Sequence, residues 1–348
     1  MKAARIFGPN DIRYVDTEVP PYSDDDVLIR VKRAGICGTD LSIFAGNMPY
    51  LKTGATKYPI TPGHEWSGIV EAVGKKVKHL KGGDRVTGDV SLGCGRCLVC
   101  LRGDFNLCPD RQEVGNFRNK DGAYAQYISM PARHTYRLPN EVSFDAGAMT
   151  EPTATVVYTV ERVNVHFGDI VVVQGTGSIG ILTAQVAKVA GAALVIITGR
   201  NDYKLEIAHR LGVNTTINFQ KEDITKRVLE LTGGQGADVV IEASGVADEI
   251  RRSSSLARLG GRIGVVGIYE KAIDSFDISD IVLKDQTLHG TLASPRAFPA
   301  ALRMMANGSV KCEPLITHRF KLGDVEEAFR AMDKEHATRI KIMLEIED

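Results

Sequence analysis

IVVVQGTGSIG, residues 170–180, opens with β-branched residues and ends in three glycines with the spacing G-x-G-x-x-G. A helix is predicted directly after it, over residues 181–190. In this order the glycines let a phosphate approach the backbone, and the helix N-terminus attracts an anion. A strand-to-helix turn without a ligand is the simpler alternative. We expect a dinucleotide site formed by Gly175, Gly177, Ser178, Ile179 and Gly180.

The sequence on either side of this turn alternates between short apolar strands and helices. Strands are predicted over residues 170–173, 194–197, 239–241 and 262–267, and helices over residues 181–190 and 204–211. Short β-branched runs separated by helices are typical of a parallel sheet covered on both faces. We therefore predict a doubly wound α/β domain over residues 154–288.

The first part of the chain has a different pattern, with glycines and prolines between short alternating stretches such as residues 27–31 and 66–73. This pattern predicts a mostly antiparallel β domain over residues 1–153. A chain of 348 residues is long enough for two domains. The tail, residues 289–348, carries predicted helices over 296–306 and 325–334 and a strand over 340–346, and we expect it to return to the first domain.

The charge balance points to small neutral partners. Lys plus Arg equals Asp plus Glu at 43 each, so nothing favours nucleic acid or an anionic membrane as a partner. The N-terminus lacks the apolar stretch of a signal peptide, and no long apolar run follows. We expect a cytoplasmic protein.

The end of the second predicted strand bears on which dinucleotide binds. An acidic residue there holds the ribose of NAD, whereas an arginine accommodates the 2′-phosphate of NADP. This chain has Gly199 and Arg200 at that place, which favours NADP. Asp202 lies close enough in sequence to keep NAD as the alternative, and Arg200 could instead be a solvated loop charge.

Four cysteines follow the spacing C-x2-C-x2-C-x7-C. Four thiolates close a tetrahedral zinc site without an open position, which makes such a site structural. An iron–sulfur cluster and unliganded thiols are the alternatives. We predict a structural zinc held by Cys94, Cys97, Cys100 and Cys108.

A second set of ligand-type residues is dispersed. Cys37 and the pair His64-Glu65 each have an ordinary interpretation as buried core residues, but their presence beside a structural zinc motif favours a second metal site. Glu151, just before a proline at a domain junction, is a further candidate, with a helix-capping role as its alternative. A mixed sulfur, nitrogen and oxygen set that leaves one position open is what catalytic zinc requires.

These motifs, with the stretch Gly122-Ala123-Tyr124-Ala125-Gln126-Tyr127, resemble the zinc-containing medium-chain dehydrogenases, particularly their sorbitol (polyol) and threonine dehydrogenase branch. The resemblance implies a GroES-like catalytic domain and a Rossmann domain. It also implies a catalytic zinc held by Cys37, His64 and a glutamate, with Glu65 and Glu151 both near the metal.

By the same resemblance, Thr39 would take the first step of proton release. Many relatives carry a histidine where this chain has Ser42. The implied reaction moves hydride between NAD(P) and a secondary alcohol or ketone of polyol type. A non-catalytic relative that binds zinc and NADPH, and a zinc-independent enone or quinone reductase, are the alternatives. We also expect a homodimer or homotetramer.

Overall fold

The computed structural model describes residues 1–269 and 271–347. The chain divides into two compact units. Unit 1 consists of Met1–Ala154, Ala293–Gly308 and Ile316–Asp348, and unit 2 of Thr155–Leu292 and Ser309–Leu315.

The strands are numbered along the chain. They are β1 (Lys2–Gly8), β2 (Asp11–Asp16), β3 (Asp26–Ile36), β4 (Glu65–Val73), β5 (Arg85–Gly88), β6 (Ser91–Leu92), β7 (Gln112–Glu113), β8 (Tyr127–Pro131), β9 (Thr135–Arg137), β10 (Ile170–Gln174), β11 (Leu194–Gly199), β12 (Thr215–Asn218), β13 (Ala237–Glu242), β14 (Ala257–Val265), β15 (Thr287–Gly290), β16 (Ile316–Lys321) and β17 (Lys341–Glu345).

The helices are numbered in the same way. They are α1 (Gly38–Phe44), α2 (Pro49–Lys52), α3 (Leu98–Leu101), α4 (Phe144–Ala148), α5 (Thr150–Arg162), α6 (Ser178–Val189), α7 (Asp202–Arg210), α8 (Ile224–Leu231), α9 (Ala247–Leu256), α10 (Ile278–Leu283), α11 (Phe298–Ala306) and α12 (Val325–Lys334). None of these helices is both long enough and apolar enough to span a lipid bilayer.

Unit 1 is built on a sheet with the strand order β16-β17-β3-β4-β5-β9, and β8 also pairs with β3. Every pair in it is antiparallel except β16–β17. Alternation of apolar residues along β3 and β4 buries one face, where Ile29, Trp66 and Val86 are inaccessible to solvent. The predicted antiparallel β domain is confirmed.

Unit 2 contains a sheet with the order β12-β11-β10-β13-β14-β15, in which every pair is parallel. Val172 on β10 lies opposite Ile196 on β11 and Val240 on β13. All three side chains are fully buried, as expected for strands covered on both faces. The predicted doubly wound sheet is confirmed.

Several predicted boundaries differ from the structure for local reasons. The strand predicted over 262–267 begins at Ala257 and ends at Val265. The helix predicted from Arg296 begins at Phe298, because Arg296 has a φ of 65° and cannot continue a right-handed helix. α7 starts at Asp202 because the Asn201 side chain accepts the N–H of Lys204 and caps it.

Within residues 202–290, five elements were not predicted from the sequence: β12, α8, α9, α10 and β15. In addition, residues 309–315, which the sequence analysis assigned to the returning tail, cluster with unit 2. The physical reason is a pair of bonds between the Gln185 side chain and Lys311, at 2.8 Å to its N–H and 3.2 Å to its carbonyl oxygen.

Candidate metal centres and dinucleotide site

The four cysteines of the C-x2-C-x2-C-x7-C motif converge in unit 1. Their Sγ atoms all lie within 4.8 Å of one another, with 3.9 Å between Cys94 and Cys100 and 3.8 Å between Cys97 and Cys108. A tetrahedron with zinc–sulfur bonds of about 2.3 Å has edges of about 3.8 Å. The thiols are free rather than joined as disulfides. The set therefore fits a zinc ion with four thiolate ligands.

The local backbone prepares this arrangement. The N–H of Cys97 points at Cys94 Sγ over 3.4 Å, and the N–H of Cys100 points at Cys97 Sγ over 3.5 Å. Backbone hydrogen bonds lower the pKa of Cys94 to about 6, which favours its thiolate form. A Cβ atom on Gly93 would come within 2.7 Å of Cys100 Sγ, so this turn requires glycine.

The dispersed set also comes together in unit 1. Cys37 follows β3 and caps α1, whereas His64 and Glu65 stand at the start of β4. Because β3 and β4 pair antiparallel, the end of one strand meets the start of the other, with Gly35 opposite Glu65. One donor atom from each of Cys37, His64 and Glu65 lies within 4.8 Å of the other two.

Asp40 organises this cluster. It is fully buried, and its carboxylate accepts the N–H of Cys37 at 2.9 Å and the hydroxyl of Tyr124 at 2.6 Å. Asp40 Oδ1 also lies 3.6 Å from Nδ1 of His64. Burial acts to lower the pKa of His64, but Asp40 and Cys37 outweigh it and raise that pKa well above its usual value. The cluster therefore attracts a cation, either a proton or a metal.

Glu65 has a strong partner of its own. Both of its carboxylate oxygens lie 2.6 Å from Nζ of Lys341 at the start of β17, and Nζ also donates to the carbonyl of Ile36 at 3.2 Å. Glu65 and Lys341 are both buried. A Cβ atom on Gly35 would lie 2.3 Å from Glu65 Oε2, so glycine is needed to admit the carboxylate.

Glu151 lies in the first turn of α5 and is only 7% exposed. Its charge contributes to the raised pKa of His64. It is not within 4.8 Å of all the donor atoms of Cys37, His64 and Glu65. Burial and the charge of Glu151 also raise the pKa of Asp89, whose carboxyl group is fully buried.

Thr39 lies on α1, two residues after Cys37. Its hydroxyl is 3.8 Å from Cys37 Sγ and the side chain is half-buried. The structure therefore brings a hydroxyl to the edge of the cluster, where a proton can be accepted and passed on.

These residues fit a catalytic zinc. Cys37, His64 and a carboxylate supply sulfur, nitrogen and oxygen ligands, the set that zinc accepts in sites with an open position. Nδ1 of His64 is buried and makes no hydrogen bond to any residue that the structure describes. A buried ring nitrogen without a partner is costly, and a metal or proton on the ring would relieve that cost.

The glycine turn of unit 2 has the form expected for an anion site. Gly175 has a φ of 113°, and a Cβ atom on Gly180 would come 1.9 Å from the carbonyl oxygen of Gly175. Gly177 precedes α6 as its N-cap residue without a capping side chain, and the space beside it is open. The N-terminal N–H groups of α6, beginning with Ser178 and Ile179, can therefore receive a phosphate.

The end of β11 departs from the arrangement that binds NAD. A Cβ atom on Gly199 would lie 2.6 Å from Thr176 Cγ2, so the Thr176 side chain occupies the space of an acidic residue. Asp202 is engaged by Lys221 and by Asn218, each at 2.7 Å. Arg200 is exposed and forms no ion pair with any part of the chain that the structure describes.

Two residues that contact the cluster of Cys37, His64 and Glu65 were not predicted from the sequence. Asp40 had a local signal, because a carboxylate three residues after the N-cap residue Cys37 completes a capping box. Lys341 had none, since 276 positions separate it from Glu65.

Comparisons with known proteins identify the family of the chain. Residues 23–140 match the alcohol dehydrogenase GroES-like domain, and residues 178–307 match the zinc-binding dehydrogenase domain. An L-threonine 3-dehydrogenase from Bacillus licheniformis is 35% identical over 93% of both chains. A sorbitol dehydrogenase from Halalkalibacterium halodurans is 34% identical over 93% of both chains.

A solved structure extends the likeness to the fold. A Sinorhizobium meliloti protein assigned as a zinc-binding dehydrogenase and solved with NADP bound superposes with a TM-score of 0.90, at 30% identity, covering 99% of this chain and 98% of its own. The GroES-like and Rossmann folds implied by the sequence are confirmed. The chain belongs to the zinc-containing medium-chain dehydrogenases, a family of oxidoreductases, in the branch of the threonine and sorbitol dehydrogenases.

Proposed function

We propose that this chain uses zinc and NAD(P) to oxidise a secondary hydroxyl of a polyol-like substrate, or to reduce the matching ketone. The observation that carries the proposal is the buried mixed set of Cys37, His64 and Glu65, with donor atoms within 4.8 Å of one another. Such a set leaves a position open for substrate, which a four-thiolate site does not. Threonine and sorbitol, in the names of the relatives, both carry a secondary hydroxyl beside a second polar group.

In this proposal residues 1–153 with 289–348 form the domain that carries the zinc chemistry, except that residues 309–315 cluster with unit 2. Residues 154–288 form the domain that binds the dinucleotide. The catalytic zinc ligands are Cys37, His64 and one carboxylate. The structural zinc ligands are Cys94, Cys97, Cys100 and Cys108.

When bound, zinc supplies a Lewis acid that lowers the pKa of a substrate hydroxyl, and the nicotinamide supplies the hydride acceptor. The side chains of the cluster supply the rest. Asp40 places a negative charge beside His64 and accepts the backbone N–H of Cys37. Thr39 accepts the departing proton at Oγ1 and releases its own hydroxyl proton outward.

Two carboxylates compete for the oxygen position. Glu65 is held through both oxygens by Lys341, so joining a metal would weaken that buried ion pair. Glu151 is buried as well, and its charge contributes to the raised pKa of His64. We propose Glu151 as the resting ligand and Glu65 as a carboxylate that exchanges with it during turnover.

Turnover with a panel of polyols, amino alcohols and simple secondary alcohols tests this proposal. We expect hydride transfer to NADP⁺ with at least one polyol-type substrate. Glu151→Gln should then lower kcat by about 100-fold or more, a size typical of losing a positioned ionisable group. A matched Glu65→Gln should show a similar loss.

Glu161→Gln, an exposed position on the same helix α5, is the control and should leave kcat unchanged. The assignment of Glu151 is wrong if its variant keeps both kcat/KM and the catalytic zinc. A protein that holds zinc and NADPH but turns over nothing in the panel would support the non-catalytic alternative. The enone reductase alternative is disfavoured because that chemistry needs neither Cys37 nor His64.

The cofactor proposal is NADP rather than NAD. Thr176 fills the space beside Gly199 where an acidic side chain would hold the ribose, and Asp202 is occupied by Lys221 and Asn218. Arg200 is left as an exposed guanidinium beside that place, suited to a 2′-phosphate.

Arg200→Ala should therefore reduce the ratio of kcat/KM for NADP⁺ to that for NAD⁺ by about 10-fold or more, the scale of one charged hydrogen bond to phosphate. Steady-state kinetics with both cofactors measure this ratio. Arg210→Ala, at the exposed end of α7 where the side chain pairs with Glu206, should leave the ratio unchanged. Equal use of both cofactors by the unmodified protein would contradict the proposal.

A homo-oligomer is also proposed, joined through the edge of the unit 2 sheet. β15 is the last strand of that sheet, so one of its sides pairs with no other strand in the part of the chain that the structure describes. Leu259, Val282 and Leu283 nearby are 71%, 74% and 81% exposed. The N–H of Gly260 bonds to the carbonyl of Lys284, which joins these residues into one patch. Two copies related by a twofold axis could pair their β15 strands and cover both patches.

Light scattering after size-exclusion chromatography should give the mass of a dimer or tetramer. Leu283→Asp should dissociate the oligomer and so lower the measured mass, because the substitution places a charge in the covered patch. Phe167→Asp, at a residue that is 92% exposed and lies outside the patch, should keep the original mass. A monomeric protein, or an unchanged mass for the Leu283 variant, would contradict this interface.

A further inference from the structure

Glu242, the last residue of β13, is fully buried in unit 2. Its Oε1 accepts the N–H of Ser244 at 2.6 Å, the N–H of Gly245 at 3.0 Å and the Ser244 hydroxyl. Its Oε2 accepts the hydroxyl of Tyr269 at 2.5 Å. One carboxylate therefore accepts hydrogen bonds from two separate loops.

These loops follow adjacent strands. Residues 243–245 follow β13, and residues 266–269 follow β14. They pack backbone to backbone, since a Cβ atom on Gly267 would come within 2.6 Å of the Gly245 nitrogen. The N–H of Val266 also bonds to the Glu242 carbonyl at 3.0 Å. Tyr269 provides the side-chain link between the second loop and the carboxylate.

The position of these loops in the sheet relates them to the cofactor. The strand order reverses direction between β10 and β13, and dinucleotides bind at the carboxyl ends of strands around such a reversal. The glycine turn after β10 receives the pyrophosphate. The second half of the sheet, with β13 and β14, then faces the nicotinamide half.

Two further features support this location. A Cβ atom on Gly175 would lie 3.1 Å from Ser244 Cβ, so the phosphate turn borders the loop after β13. The N–H groups of Gly267 and Ile268 donate to no residue within 1–269 or 271–347. A backbone N–H at such a position can donate to the planar amide of a ligand.

We propose that Glu242 and Tyr269 are a positioning pair, which holds the loops after β13 and β14 in the shape that binds the nicotinamide half of the cofactor. This inference rests on the proposed use of NAD(P). Burial and the neighbouring Glu242 raise the pKa of Tyr269, so its hydroxyl remains a donor at neutral pH. Four bonds on one buried carboxylate make a rigid support for groups that contact a ligand.

The test compares a whole cofactor with its adenosine half. Tyr269→Phe removes one hydroxyl and keeps the ring. We expect the Kd for NADPH, measured from its nicotinamide fluorescence, to rise about 10-fold, the scale of losing a hydrogen bond to a charged group. The Kd for 2′-phospho-ADP-ribose should change by less than about 2-fold, which also shows that the variant is folded.

Glu242→Gln should act in the same direction, because an amide accepts fewer of these bonds than a carboxylate. Tyr22→Phe, at an exposed tyrosine of unit 1, is the matched control and should leave both affinities unchanged. The inference is overturned if Tyr269→Phe weakens both ligands equally or neither.

The experiment also distinguishes failure of the NADP proposal from failure of the positioning-pair proposal. If the unmodified protein does not bind NADPH, the NADP proposal fails, and NADH with ADP-ribose makes the same comparison for the positioning pair. A selective loss for NADH alone would then support the pair, and an equal loss or none would overturn it.

Discussion

The buried ion pair between Glu65 and Lys341 is the interaction on which the cluster of Cys37, His64 and Glu65 depends. A carboxylate taken out of water is strongly unfavourable unless a partner of opposite charge comes with it. Nζ of Lys341 lies 2.6 Å from both carboxylate oxygens of Glu65 and also donates a hydrogen bond to the carbonyl of Ile36. Burial acts to lower the pKa of Lys341, but Glu65 outweighs it and keeps the lysine charged.

This pair constrains the path of the chain. Lys341 stands at the start of β17, which pairs antiparallel with β3, and Cys37 follows β3 directly. The C-terminal strand must therefore return to the sheet that carries the cluster, or Glu65 would be buried without a counterion. The pairing of β3 with β4 fixes the distance between Cys37 and the start of β4. The return of the C-terminal strand to this sheet and the geometry of the cluster therefore depend on each other.

Much of this could be predicted from the sequence, because the signals were local. The glycine turn lies between an apolar strand and a helix, and Cys94 to Cys108 lie within fifteen positions of one another. Contacts between residues that are distant in the sequence have no such local signal. The Lys341–Glu65 pair, the Glu242–Tyr269 bond and the packing of Thr176 against Gly199 each join segments that only the folded sheet brings together. The choice between Glu65 and Glu151 depends on the first of these contacts.

Zinc content is the most direct test of the central claim, that the chain holds one closed and one open zinc site. Elemental analysis of carefully prepared protein should give two zinc ions per chain. Cys37→Ala should lose the ion of the open site and keep the other, and Cys94→Ala should lose the ion of the four-thiolate site. A single zinc ion that survives Cys37→Ala and disappears with Cys94→Ala would contradict the account, because the cluster of Cys37, His64 and a carboxylate would then hold no metal.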